Sequence, residues 1–137
     1  MRVGIDLAKT KRWEALVKKH PQRVGTIFTE EELAHCRKKG LHAYESMAAL
    51  WAVREAAGKA LGIGFFRSGW QDAYVSWSEY GAPILHLKGN FKKRADELGI
   101  TDMAVSITHE DGMAAAVVIM TGGTNEAAEQ RLSLIHI

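Results

Sequence analysis

The chain has 137 residues, of which 47% are hydrophobic and 25% charged, and a formal net charge of +2. Those figures describe one ordinary globular domain with room for a real core, and the net charge alone is too small to mark a nucleic-acid binder. The charge is unevenly spread: Arg2, Lys9, Lys11, Arg12, Lys18, Lys19 and Arg23 face only Asp6 and Glu14 in the same region, which favours an acidic partner there. Cys36 is the sole cysteine, so neither an intrachain disulfide nor a Cys-based zinc site can form. Asp6 and Lys9 interrupt any apolar signal core at the N-terminus, and the longest apolar run, Met113 to Met120, is too short to span a bilayer. The expected setting is the cytoplasm, with no membrane and no nucleic acid as partner.

In chain order, Arg2 to Leu7 reads as a buried strand with Asp6 at its end. A basic helix follows, with Trp13, Leu16 and Val17 at helical spacing, and Pro21 stops it. Thr29 with Glu32 three residues on is a capping-box pattern that opens a second short helix to about Lys38. Gly40 separates this from a long helix over His42 to Leu61, with Gly62 as its natural terminating residue. The period then changes. Asp72 to Ser78 alternates, Glu79 to Ala82 turns, and Pro83 to Leu87 returns as a second strand. Phe91 to Leu98 is a short helix ending at Gly99, and Met103 to Thr108 and Met113 to Ile119 are strands joined through Glu110-Asp111-Gly112. The order predicts an α+β fold with a mainly antiparallel sheet. The domain is expected over residues 1–121, with 122–137 as a C-terminal tail.

The long helix carries the most informative residues, Trp51-Ala-Val-Arg-Glu-Ala-Ala-Gly-Lys59. At about 100° per residue, Glu55 falls on the stripe of Tyr44, Ala48 and Trp51, with Lys59 beside it. A carboxylate on an apolar stripe needs a partner. A metal ion, a cationic substrate group, or a salt bridge between Glu55 and Lys59 four residues away would each serve. Paired with Asp6, Glu55 suits magnesium, which takes one or two protein carboxylates and completes its shell with water and phosphate oxygens. Lys59 would then neutralise phosphate as a point charge. Gly62 and Gly64 allow close approach of backbone to a phosphate, although a helix cap alone accounts for Gly62. His109 ends one strand of the last hairpin, where histidines are commonly just exposed; the other histidines show no metal-ligand spacing. The basic helix around Lys11, Arg12, Lys18 and Lys19 is either a solvated face or a docking surface for an acidic protein.

Taken in order, Gly4-Ile5-Asp6, Trp51 to Gly62, Gly81-Ala82-Pro83 and Ser106-Ile107-Thr108-His109 resemble the motifs of the holo-acyl-carrier-protein synthase family, the small 4′-phosphopantetheinyl transferases. The resemblance covers about residues 1–120. It implies a sheet packed on a long central helix and transfer of phosphopantetheine from coenzyme A to a serine of an apo acyl carrier protein, releasing adenosine 3′,5′-bisphosphate. It further implies Mg2+ on Asp6 and Glu55 and phosphate contact by Lys59. Catalysis would rest on Glu55, Lys59 and Asp6, with Glu55 as base, directly or through a metal-bound water. Lys59, Gly62, Gly64, Pro83, Ser106 and His109 would hold the coenzyme, and Lys11 and Arg12 would dock the carrier. A homotrimer with active sites between subunits is also implied. Three positions depart from the family pattern: Leu50 and Arg54 stand where the family commonly has a basic residue and lysine, and Ile63 replaces a threonine. A binding module of the same fold without catalysis, and a basic nucleic-acid-binding domain, are the competing readings. Fatty-acid synthesis and specialised polyketide or peptide pathways are both open as the source of the carrier.

Overall fold

The computed structural model describes residues 1–65 and 69–122. Three long strands, β1 (Arg2–Lys9), β4 (Ile100–Glu110) and β5 (Met113–Gly122), form an antiparallel sheet in the order β1-β5-β4. A separate hairpin pairs β2 (Ala73–Trp77) with β3 (Pro83–Leu87). The helices are α1 (Thr10–Lys19), the single turn α2 (Val24–Ile27), α3 (Glu30–Lys38), the long α4 (Ala43–Leu61) and α5 (Gly89–Glu97).

The expected elements are present, with shifted ends, but β1 is not the buried strand expected: alternation leaves Val3, Ile5 and Leu7 exposed on its outer face. β1 runs on to Lys9 because every residue from Arg2 to Lys9 finds a partner on β5. β4 and β5 are likewise longer than their apolar stretches, since the turn between them holds a long register. That turn needs left-handed backbone at both central residues, and Asp111 (φ 51°) and Gly112 (φ 74°) supply it. β5 includes Gly122, the first residue of the expected tail; residues 123–137 lie outside the described residues.

The core is α4 laid against one face of the sheet. Period-2 alternation sends Ala114, Ala116, Val118 and Met120 of β5 inward, all essentially buried. On β1 the same face carries Gly4, Asp6 and Ala8. Gly4 is required there: a Cβ at this position would collide with the carbonyl of Ala56 on α4. This close approach brings β1 down onto α4, and the next inward residue of the strand, Asp6, therefore faces the helix. Ala52, Ala56 and Ala60 present a small-residue surface that permits the contact, while Leu50, Val53 and Leu61 anchor the helix, at about 1.5–3 kcal/mol each for full burial. α4 ends on Gly62 (φ 72°): Gly62 N–H donates to the Lys59 carbonyl at 3.2 Å and Ile63 N–H to the Gly58 carbonyl at 3.0 Å, a complete Schellman closure.

α3 opens with the capping box expected from Thr29 and Glu32; the Glu32 N–H donates to Thr29 Oγ1 at 3.1 Å and the Thr29 N–H to Glu32 Oε1 at 2.8 Å. Glu32 does more than cap. It is fully buried and faces the fully buried Arg54 of α4, whose Nη2 donates to Oε1 at 2.6 Å and Nη1 to Oε2 at 2.9 Å. Arg54 also donates to the carbonyls of Trp70 (2.8 Å) and Ile27 (3.1 Å), and the Val75 N–H donates to Glu32 (3.0 Å). The guanidinium thus ties α3, α4, the turn after α2 and the approach to β2 together.

Candidate active site

Asp6 and Glu55 line one cleft, of about 460 Å³, with Arg12 and Trp51. A second cleft, also about 460 Å³, begins on the other side of Glu55 and is walled by Lys59, Gly62, Gly64 and Phe65. The expected constellation of Asp6, Glu55, Lys59, Gly62 and Gly64 is therefore assembled around one end of α4, and it comes from two distant segments because Gly4 seats β1 on the helix. Of the stripe of Tyr44, Ala48, Trp51 and Glu55 read from the sequence, Trp51 and Glu55 line the first cleft, and Ala48 is buried in the core.

Of the partners left open for Glu55, the salt bridge to Lys59 is not formed among the described ion pairs. Lys59 does not turn to Glu55, four residues back, but to β1: its Nζ donates to Asp6 Oδ1 at 3.0 Å and to the Ile5 carbonyl at 3.0 Å. The strand lies beside that helix face, and a carbonyl and a carboxylate together satisfy an ammonium better than one helix neighbour does. Glu55 is left half-buried without that partner. Burial raises its pKa above the ordinary carboxylate value and the negative charge of Asp6 raises it further, while Lys59 and Arg12 pull it down. The Asp6 effect means that the two carboxylates are close enough to repel.

That donor set fits a magnesium ion. Among the described residues no group of three or more His, Cys, Asp or Glu gathers to hold a metal, so the chain offers a pair of carboxylates rather than a cage. Magnesium binds in this way, keeping several ligands for water and phosphate, and a dication between Asp6 and Glu55 would relieve their repulsion.

The remaining expected residues lie elsewhere. Pro83, Ser106 and His109 line a third cleft, of about 420 Å³, between the β2–β3 hairpin and β4. Among the described residues, none of these three clefts joins them to Asp6, Glu55 and Lys59. His109 Nδ1 lies 3.0 Å from Glu45 Oε1, and His42 Nδ1 lies 2.9 Å from Glu45 Oε2. Leu50 reaches this third cleft but is only 2% exposed and belongs to the core. Lys11 is exposed on α1, and Arg12 turns toward the Glu55 cleft. Arg54, noted as a departure beside Glu55, faces away from it into the buried pair with Glu32. Sequence reading missed that pair: the capping box accounted for Glu32, and nothing local links it to a residue 22 positions on.

The model of the 4′-phosphopantetheinyl transferase superfamily matches residues 2–118. Holo-[acyl-carrier-protein] synthase of Moorella thermoacetica is 35% identical over 126 residues, covering 92% of this chain and 98% of the relative. The protein of that name from Streptomyces griseus is 39% identical, covering 88% and 97%. Among solved structures, Helicobacter pylori holo-[acyl-carrier-protein] synthase in complex with coenzyme A matches with a TM-score of 0.75 and 30% identity, covering 87% of this chain and 99% of that one. The chain belongs to the 4′-phosphopantetheinyl transferase superfamily, in its holo-acyl-carrier-protein synthase family, and is a transferase of that class. No helix among its described residues is long and apolar enough to cross a membrane.

Proposed function

We propose that this enzyme moves 4′-phosphopantetheine from coenzyme A to a serine of an apo acyl carrier protein, with magnesium, and releases adenosine 3′,5′-bisphosphate. The observation that carries this reading is the convergence of Asp6, Glu55 and Lys59 at one end of α4 in a chain of this family. Magnesium, held by Asp6 and Glu55 when bound, supplies charge neutralisation at the pyrophosphate oxygens.

The residues of the chain do the rest. The serine oxygen forms a bond to the phosphorus that carries the pantetheine arm, the P–O bond to the nucleotide breaks, and the bisphosphate leaves with that oxygen. The hydroxyl proton goes to the Glu55 carboxylate, directly or through a water. Lys59 sits beside Gly62 and Gly64, where it meets phosphate oxygens and stabilises the charge that builds there. The nucleophile belongs to the carrier, so this chain needs none of its own. Arg12, with Lys11 beside it, offers the acidic carrier a positive edge at the mouth of the Glu55 cleft.

The active unit in this reading is a homotrimer, supported by two features of the single chain. The outer face of the sheet leaves Val3, Ile5 and Leu7 60%, 63% and 62% exposed, beside Ile119, Val117 and Ala115 of β5. Among the described residues Glu55 does not line the Pro83–Ser106–His109 cleft, on the coenzyme side, and a neighbouring copy would bring the two together. A cytoplasmic setting suits the lone, buried Cys36.

Incubation with coenzyme A, magnesium chloride and an apo carrier protein should raise the intact mass of the carrier by one phosphopantetheine, and a chelator should prevent it. An unchanged mass across several carriers would refute the reading.

A further inference from the structure

We propose that Arg2 and Arg94 are positioning residues for phosphate binding: they cap and neutralise the C-terminal end of α4, so that its Gly62–Gly64 wall can face the pyrophosphate of coenzyme A. The assignment rests on the transferase reading above. A helix gathers about half a negative charge at its C-terminus, and phosphates settle by preference at the opposite, positive end. In this enzyme the phosphates meet the negative end, since Gly62 and Gly64 follow directly on the last residue of α4. The described residues that line this cleft carry one cation, Lys59, and one carboxylate, Glu55. A pyrophosphate diester brings two negative charges, so the lining alone leaves it short of positive charge.

The last four carbonyls of α4 all have donors, of two kinds. Backbone closes the first pair: the Ile63 N–H donates to the Gly58 carbonyl at 3.0 Å and the Gly62 N–H to the Lys59 carbonyl at 3.2 Å. Side chains close the second pair. Arg2 Nε donates to the Ala60 carbonyl at 2.7 Å, and Arg94 Nε donates to the Leu61 carbonyl at 3.0 Å. Arg2 opens β1 and Arg94 lies in the last turn of α5, so two distant segments converge on one helix end. Water would satisfy those carbonyls equally well; a guanidinium also brings a full positive charge.

The charge is well placed. Arg2 Nη2 lies 3.4 Å from the point a Cβ on Gly62 would take, directly behind the cleft wall. Both arginine contacts are partly buried, where a charge is screened less than at an open surface. Lys59, the cation in the cleft itself, also serves Asp6 at 3.0 Å. Arg94 Nη1 lies 3.6 Å from Glu97 Oε2, which takes up part of its charge. Neither arginine is among the described residues lining the cleft. They act through the backbone they hold and the potential they project across it.

The test contrasts Arg2→Gln, which offers an N–H donor without charge, with Arg2→Lys, which keeps the charge. Rates of carrier modification give KM and kcat for coenzyme A, and inorganic pyrophosphate serves as a competitor. Arg2→Gln should raise KM about five- to tenfold, the worth of a partly buried cation at a helix C-terminus, and weaken pyrophosphate inhibition by the same factor, with kcat little changed. Arg2→Lys should recover most of the loss. Arg94→Gln against Arg94→Lys should repeat the contrast at about two- to fivefold, and carries the test alone if the Arg2 variants do not fold. Equal losses in the Gln and Lys variants, or no loss in the Gln variants, would overturn the assignment while leaving the transferase reading in place. A wild type that transfers nothing from coenzyme A would overturn both.

Discussion

Arg54 and Glu55 are adjacent on α4, and their surroundings are opposite. Arg54 is fully buried, doubly bonded to Glu32 and spread over the backbone of Ile27 and Trp70. Glu55 opens onto two clefts, repelled by Asp6 and deprived of Lys59, which has gone to β1. One helix step separates a charge whose hydrogen-bonding needs are met from one whose needs are not. The lesson is that charged residues in an apolar helix divide by what remains unsatisfied: the completed pair holds the fold, and Glu55, beside the Asp6–Lys59 pair, is the group we propose meets a ligand.

The largest effect on the structural side should come from Glu32→Ala. It strands a buried guanidinium, removes the Glu32 half of the α3 capping box and frees the Val75 N–H. Urea unfolding should show a loss of about 3–5 kcal/mol. Combining Glu32→Leu with Arg54→Met should recover much of that loss, because an apolar pair leaves no charge uncompensated. A Glu32→Ala protein as stable as the wild type would break the comparison at its buried end.

A smaller effect sharpens the same end. Cys36 packs beside this pair, and burial, with the Glu32 charge adding to it, pushes its thiol up to about 12. At pH 8, well below that value, the thiol stays protonated, and only thiolate reacts with iodoacetamide. Native protein should therefore resist labelling at pH 8 under conditions that fully label the unfolded chain. Rapid labelling of the native protein would place Cys36, and the pair beside it, in a looser environment than described.

Much of this was legible in the sequence wherever the cause is local. Thr29 with Glu32 announced the cap, Gly62 the end of α4, and Asp111-Gly112 the tight turn. The association of Asp6 with Glu55 and Lys59 was legible through the order of short motifs. What stayed hidden is tertiary. The preference of Lys59 for Asp6 over Glu55 depends on how closely Gly4 lets β1 approach. The Arg54–Glu32 pair depends on α3 and α4 packing, which no spacing rule encodes. The separation of the Asp6 cleft from the His109 cleft depends on strand order, because β5 lies between Asp6 on β1 and Ile107 at the same level on β4.

Glu55→Gln tests the central claim most directly, because it keeps the shape of the side chain and removes the charge. Intact-mass measurement of an apo carrier incubated with coenzyme A and magnesium should show transfer slowed at least about a hundredfold, the usual worth of a positioned base. The urea midpoint should stay at or above that of the wild type. A Glu55→Gln enzyme that modifies the carrier at the wild-type rate would contradict the account.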